Sequence, residues 1–119
     1  MWVINKSFSF GVELLSNWGY QYLTCIDWIK TTKNNKLAIS NGYLLTHCKE
    51  TCFVGIKKPF EFQSHHLKKV IIEKRRGQSV KPYQLYDMIE KMVPNGKYIE
   101  LFGRQNNRRD KWITIGNDL

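Results

Sequence analysis

Between Pro82 and Val93 the apolar residues fall on a single helical stripe. Leu85, Met88, Ile89, Met92 and Val93 occupy the i, i+3, i+4, i+7 and i+8 positions of a helix with one face in a core. Pro82 stands in the first turn, where proline is tolerated because that amide has no helical acceptor. Pro94-Asn95-Gly96 then stops the pattern. Short β-branched and aromatic runs flank the stripe: Val70-Ile71-Ile72 before it and Tyr98 to Phe102 after it. Strand, helix and strand in succession restrict the chain to an α/β layered fold with a mixed or parallel sheet.

The remaining elements fit that frame. Trp2-Val3-Ile4 reads as a strand that begins without lead-in. Ser7 or Ser9 is placed to cap a helix running to about Asn17, with Phe8, Val12 and Leu15 on one face. Gly19, within Trp18-Gly19-Tyr20, ends it. Tyr22 to Ile29, Cys52 to Ile56 and Trp112 to Ile115 are further strand candidates. Lys30 to Asn41 (KTTKNNKLAISN) is polar and reads as a long surface loop, and Gly103 to Lys111 as a basic turn.

Size and charge narrow the function classes. A chain of 119 residues with 42% hydrophobic residues suits one domain with a real core, and 24% charged residues is ordinary for a folded chain. Nineteen Lys and Arg against ten Asp and Glu leave a net charge of +9, which favours polyanionic partners. Nucleic acid and an anionic membrane are the commonest of these; no apolar run approaches the roughly eighteen residues of a membrane span, and no membrane is counted among the expected partners. The start, Met-Trp-Val-Ile-Asn-Lys, lacks a basic leader followed by an apolar run, which points away from secretion. Three cysteines do not make a disulfide scaffold.

Three constellations carry possible chemistry. The first is the strand and basic turn Ile99 to Asn107. In open α/β sheets ligands bind beyond the carboxyl ends of strands, where Gly103 admits close approach and Arg and Asn side chains suit hydroxyls and carboxylates. A merely solvated turn is the simpler alternative, and no G-x-G-x-x-G dinucleotide fingerprint is present. The second is the set of basic groups Lys57-Lys58, Lys68-Lys69, Lys74-Arg75-Arg76 and Arg108-Arg109, a phosphate-binding surface if they converge and a solvated exterior if they do not. The third is His47-Cys48, Cys52 and His65-His66. Their Cys spacing is wider than the usual zinc spacer and no second Cys pair exists, so no metal site is expected.

Taken in order along the chain, these segments resemble the MTA-seventy family of eukaryotic N6-adenine methyltransferases. Trp18-Gly19-Tyr20 with Asp27-Trp28-Ile29-Lys30-Thr31 is similar to its WGY…WVKT segment, and His47 to Gly55 to its HxKExCLVG stretch. Lys81-Pro82 with Leu85-Tyr86 and Ile89-Glu90 is similar to its HKPDEIYxMIE helix start. Ile99 to Arg104 matches IELFGR, and Trp112 to Asn117 matches the start of WITLGNQL. The resemblance implies the C-terminal portion of a Rossmann-like, S-adenosylmethionine-dependent methyltransferase fold, a mixed sheet flanked by helices, as one domain over residues 1–119.

The resemblance also implies site roles. Lys81 takes the place of the family lysine that reaches the methionine carboxylate; Arg104, Asn107 and Asn117 stand among the groups around the ribose. Asn106 replaces a His of catalytic members, Gln105 a Pro and Asp118 a Gln. The catalytic Asp-Pro-Pro-Trp has no counterpart, since the 119 residues contain no Pro-Pro pair. The expectation is therefore a non-catalytic subunit that binds no S-adenosylmethionine itself and supports a catalytic paralogue carrying Asp-Pro-Pro-Trp and that cofactor, in the nucleus. Residues 30–41 would form an interface and nucleic-acid loop with Lys33 and Lys36 at phosphates. Lys57, Lys58, Lys74, Arg75, Arg76, Arg108 and Arg109 would add basic surface for DNA or RNA. Trp2-Val3-Ile4 is expected to carry an unpaired edge and an uncovered apolar face that demand a partner. The rival readings are a split enzyme completing a cofactor site through Lys81, Arg104, Asn107 and Asn117, and a free-standing nucleic-acid-binding module.

Overall fold

The computed structural model describes residues 1–40, 45–60 and 67–119; His65, His66 and Asn41 lie outside them. The elements follow as β1 (Trp2–Val3), α1 (Phe8–Asn17), β2 (Gln21–Thr31), β3 (Lys49–Ile56), β4 (Val70–Lys74), α2 (Tyr83–Met92), β5 (Tyr98–Leu101) and β6 (Trp112–Ile115). Short 3-10 turns cover Asn5–Ser7 and Gln105–Asn107. Four strands form a mixed sheet in the order β1-β3-β2-β4, with β3 antiparallel to both β1 and β2, and β4 parallel to β2. β5 and β6 pair in parallel as a second, two-stranded sheet. This is the mixed α/β arrangement that the helical stripe and its flanking strands predict.

α2 holds the two sheets together because two of its faces are apolar. Leu85, Met88 and Ile89 pack on Ile26, Trp28, Cys52 and Ile71 of the larger sheet. Alternation along each strand puts these side chains on one face: Ile26 opposes Cys52 and Trp28 opposes Glu50 across β2 and β3, while Ile71 lies beside Trp28 in the parallel pair. Burial pushes the Cys52 thiol above its ordinary range. Tyr86, off the predicted stripe, turns to the other sheet, where its ring meets Trp112 edge-on and its hydroxyl donates to Glu100 Oε1 at 3.0 Å. Glu90 accepts from the Arg109 Nε and the Trp112 indole N–H at 2.9 and 2.8 Å, and these bonds hold its carboxyl below the usual range. Pro82 is the N-cap rather than a first-turn residue. The Glu73 carboxylate, reaching over from β4, accepts the Tyr83 and Gln84 backbone N–H groups, which would otherwise be orphans of the first turn.

On the opposite face of the larger sheet α1 contributes Gly11 and Leu15, and Phe8 packs on Phe53. Val12, expected inward, is exposed. The reason is Gly11: a Cβ there would stand 2.9 Å from Val3 Cγ1, so the absent side chain lets the helix approach on that side and turns Val12 outward.

Two further expectations change. β1 is tied in on one side, where Trp2 and Val3 pair with Cys52 and Thr51 and the Met1 ammonium donates to Phe53 O at 2.9 Å; as the outer strand of the sheet it keeps the expected unpaired edge on its other side among the described residues. Trp2 also packs edge-on against Trp28. The unpartnered apolar surface lies instead on the second sheet, where Ile99, Leu101, Ile113 and Ile115 share one face and are all more than half exposed, with Phe102 beside them at 91%. Residues 30–41 are not simply a loop. Lys30 and Thr31 belong to β2, Thr31 bridges Leu37, Ala38 donates to Lys30 O at 2.8 Å and is buried, and Ser40 bridges His47.

Beneath the second sheet, Glu100 Oε2 and Thr114 Oγ1 are buried without hydrogen-bond partners among the described residues, and the two residues oppose each other across β5 and β6. Burial raises the Glu100 carboxyl above its ordinary range, opposed by the Tyr86 hydroxyl and by Lys81. A raised folded-state value means that the folded chain favours the protonated acid. Stability from this group is therefore greatest below the unfolded carboxyl value and falls as pH rises through the folded one. Glu100→Gln is expected to raise the melting temperature at pH 7 and to give no gain near pH 3; thermal melts of both proteins across pH test the sign.

Candidate functional site

The carboxyl ends of the parallel strands meet at one end of the molecule. Thr31 of β2 pairs with Lys74 of β4, and Arg75 donates its backbone N–H to Thr31 O at 2.8 Å. The turn after β5 reaches the same place. Asn107 accepts the Lys81 backbone N–H at 3.2 Å and donates to Ser79 O at 3.4 Å, joining that turn to the segment that leads into α2. Gly103 donates to Ile115 O at 2.9 Å, and Arg104 bridges Asp118, so the ends of β5 and β6 also converge. Because β3 runs antiparallel, its start brings Glu50 to this end.

Glu50 organises the polar interior of the site. Its carboxylate lies 3.4 Å from Lys81 Nζ and 3.7 Å from Lys30 Nζ. Each ammonium also sits over an indole, Lys81 over Trp2 at 5.0 Å and Lys30 over Trp28 at 5.6 Å. A cavity of about 190 Å³ opens here, lined in part by Trp28, Ser40, Arg75, Gly77 and Val80. Lys30, Arg75 and Lys81 against Glu50 leave it positively charged, so it favours an anionic group. A shallower groove lies along the β4 edge, where the Arg76 guanidinium stacks on Tyr83 at 3.4 Å, close to Lys74, Asn35 and Ile72.

The sequence-predicted positions separate into committed and unpaired groups. Lys81 is held by Glu50. Asn107 is buried, with both ends of its amide bonded to backbone. Arg104 pairs with Asp118 at 3.9 Å on the surface, and Asn117 is exposed beside it. Among the expected nucleic-acid contacts, Arg109 is bound by Glu90 and Asp87 and lies against the Tyr86 ring. Arg76 donates to Lys81 O at 2.6 Å and pairs with Glu73. Lys57 donates to Trp18 O at 3.3 Å, at the far end of β2. The side chains of Lys33, Lys36, Lys58, Lys74, Arg75 and Arg108 are exposed, and none makes a hydrogen bond or ion pair to the described residues. Of these, Lys74 and Arg75 border the site, and Lys33 and Lys36 lie on the turn that follows β2.

Glu50 and Lys30 are the site residues that sequence reasoning passed over. The signal was present: Glu50 stands two residues before core Cys52 and hence on the same face of β3. His47 is exposed while Cys52 lies in the core, and no group of three potential metal ligands occurs among the described residues.

The model of the family described as MT-A70 matches residues 1–118. The chain belongs to the MT-A70 family. Similar curated proteins include the N(6)-adenosine-methyltransferase catalytic subunit METTL3 of Homo sapiens, 38% identical over the whole of this chain and 21% of that protein. The N(6)-adenosine-methyltransferase MT-A70-like of Arabidopsis thaliana is 35% identical over the whole chain and 18% of its own length. The N(6)-adenosine-methyltransferase non-catalytic subunit METTL14 of Danio rerio is 29% identical over 92% of the chain and 27% of its own length. The chain spans about a fifth of the length of the METTL3 proteins it matches. In this MT-A70 domain Glu50, Lys81 and Asn107 gather at the carboxyl ends of the parallel strands. No helix among the described residues is long and apolar enough to cross a membrane.

Proposed function

We propose that the chain serves as a non-catalytic subunit of an N6-adenine methyltransferase complex, supporting a paralogue that carries Asp-Pro-Pro-Trp and S-adenosylmethionine and lending basic surface to its DNA or RNA. The nucleus is the compartment proposed for it. The observation that carries this reading is the state of Asn107. A ribose-binding amide must present a donor or acceptor to the ligand, yet Asn107 is 7% exposed and each end of its amide already bonds to backbone, leaving one N–H and one lone pair in a buried side chain. Lys81 and Arg104 are likewise matched to Glu50 and Asp118. Lys81 would have to leave Glu50, and buried Asn107 its backbone partners, to take the methionine carboxylate and ribose of the cofactor. The aliphatic face of β5 and β6 supports the need for a partner, since a two-stranded sheet with one bare apolar face is marginal alone.

A second reading, a split enzyme completed by this chain, is favoured by the greater identity to METTL3 of Homo sapiens, named catalytic, than to METTL14 of Danio rerio, named non-catalytic. One experiment separates the two: the chain is combined with an Asp-Pro-Pro-Trp paralogue, and methyl transfer to adenine in DNA and RNA oligonucleotides is followed. The non-catalytic reading expects methylation to rise with the chain present and Asn117→Ala to leave it unchanged. It also expects Lys74→Ala with Arg75→Ala to weaken nucleic-acid binding and to lower the salt slope by about two, near 0.9 per phosphate contact. Loss of methylation in Asn117→Ala, with the assembly intact, favours the split enzyme. No complex on size exclusion and no stimulation overturn both.

A further inference from the structure

The end of the larger sheet opposite the candidate site carries a basic and aromatic platform. β2 is eleven residues long, so at about 3.3 Å per residue its start lies roughly 30 Å from Thr31. At that start the last turn of α1 meets the turn that follows β3. Trp18 is the C-cap of α1 and is anchored by its backbone N–H to Leu14 O at 3.1 Å. Gly19 takes a φ of +86° and donates to Ser16 O, and Tyr20 donates to Leu15 O, which fixes the cap. This rigid backbone presents the Trp18 indole to solvent at 53% exposure and Tyr20 at 40%. Lys57 reaches across from the β3 side: its ammonium donates to Trp18 O and lies 5.1 Å from the Tyr20 ring centre. Lys58 follows with an exposed side chain that makes no hydrogen bond or ion pair to the described residues.

An exposed indole held on an ordered cap is an unusual use of a residue that buries well. The Lys57 ammonium is bonded to the carbonyl of the same residue, Lys58 is next in the chain, and the net charge is +9 overall. Flat aromatic faces beside ammonium groups match a flexible polyanion whose bases are free to stack; the stacking term tolerates any base, and the ammonium groups meet phosphates. We propose that Trp18 and Tyr20, with Lys57 and Lys58, form a contact for single-stranded nucleic acid, separate from the cluster at the carboxyl ends of the strands. It stands independently of the subunit reading. It implies that a strand engaged at the Lys74 and Arg75 end also has a second foothold about one sheet length away, where binding tolerates sequence.

The test uses the full chain, in whatever assembly it purifies with, and fluorescein-labelled twelve-nucleotide oligo-dT and oligo-U followed by anisotropy. Trp18→Ala is expected to weaken binding roughly tenfold, the effect of removing one stacked base, while Trp18→Phe, which keeps a π-face, restores most of it. Lys58→Ala is expected to lower the salt slope by about 0.7, the single-strand value for one phosphate contact, whereas Trp18→Ala leaves that slope unchanged. Equal affinity of Trp18→Ala and the parent overturns the proposal, as does binding at this end to anionic vesicles or an acidic peptide in place of the oligonucleotide. Because Lys74→Ala with Arg75→Ala probes the other end, loss there with Trp18→Ala silent would leave the subunit reading standing and remove this one.

Discussion

Trp28→Ala is expected to unfold the chain or bring it close to unfolding. Trp28 is 2% exposed in the centre of β2, where it packs among Ile26, Ile71 and Leu85 and meets Trp2 edge-on. Its indole N–H donates to Glu73 O at 3.0 Å, linking β2 to the strand that caps α2. Truncating a buried Trp costs about 3–5 kcal/mol through lost contacts and the cavity left behind. Domains of this size have only about 5–15 kcal/mol in total. The site is lost with the core, because Lys30 sits over the same indole and Glu73 caps α2. Guanidinium denaturation followed by circular dichroism measures the loss. Trp28→Phe, which keeps most of the volume but leaves the Glu73 carbonyl without its donor, is expected to lose a smaller part. A Trp28→Ala midpoint equal to that of the parent would show that this core is not what holds the sheet.

Gly116→Ala is expected to disrupt the candidate site while leaving the larger sheet in place. The turns that follow β5 and β6 touch backbone to backbone: a Cβ on Gly116 would lie 2.0 Å from Gly103 O, and one on Gly103 would lie 2.3 Å from Thr114 Cγ2. Neither neighbour is the flexible end of a long side chain, so the 103–107 turn itself must shift. That shift pulls Asn107 from the Lys81 N–H and Arg104 from Asp118. Overpacking of this kind costs about 1–3 kcal/mol, and more where backbone is displaced. Hydrogen exchange at the Lys81 amide reads the local effect, expected to quicken sharply. Protection along β2 and β3 is expected to change little. Parental exchange rates at Lys81 in Gly116→Ala would show that the turn contact does not position the site.

The elements were legible in the residues to the extent that their signals are local. α2 follows from the spacing of Leu85, Met88 and Ile89, and the Trp112 to Ile115 strand from four consecutive strand-forming residues. Each pattern is set by neighbours within about two turns or four residues, which is the range over which sequence spacing fixes a face. The ends were less legible. β2 runs to Thr31 because Leu37 and Arg75 pair there, and Val12 turns outward because Gly11 opens a close approach from Val3 and Phe53. Each of those contacts joins distant parts of the chain and leaves no local periodicity behind.

The same distinction runs through the site. The order of motifs along the chain identified the MT-A70 family, and the net charge pointed to a polyanion, since both are properties of the residues in sequence. Which charged side chains are left open is decided by folding. Arg109 and Arg108 are adjacent and alike in sequence, yet Arg109 is bound by Glu90 and Asp87 while Arg108 faces water. Lys81 and Lys74 carry the same charge, yet Glu50, thirty-one residues before Lys81, claims its ammonium, while Lys74 finds no carboxylate among the described residues. A charge is available to a ligand only if no carboxylate reaches it in the fold. That depends on strand order, register and the placement of α2 between two sheets, which arise from contacts among residues far apart in the chain.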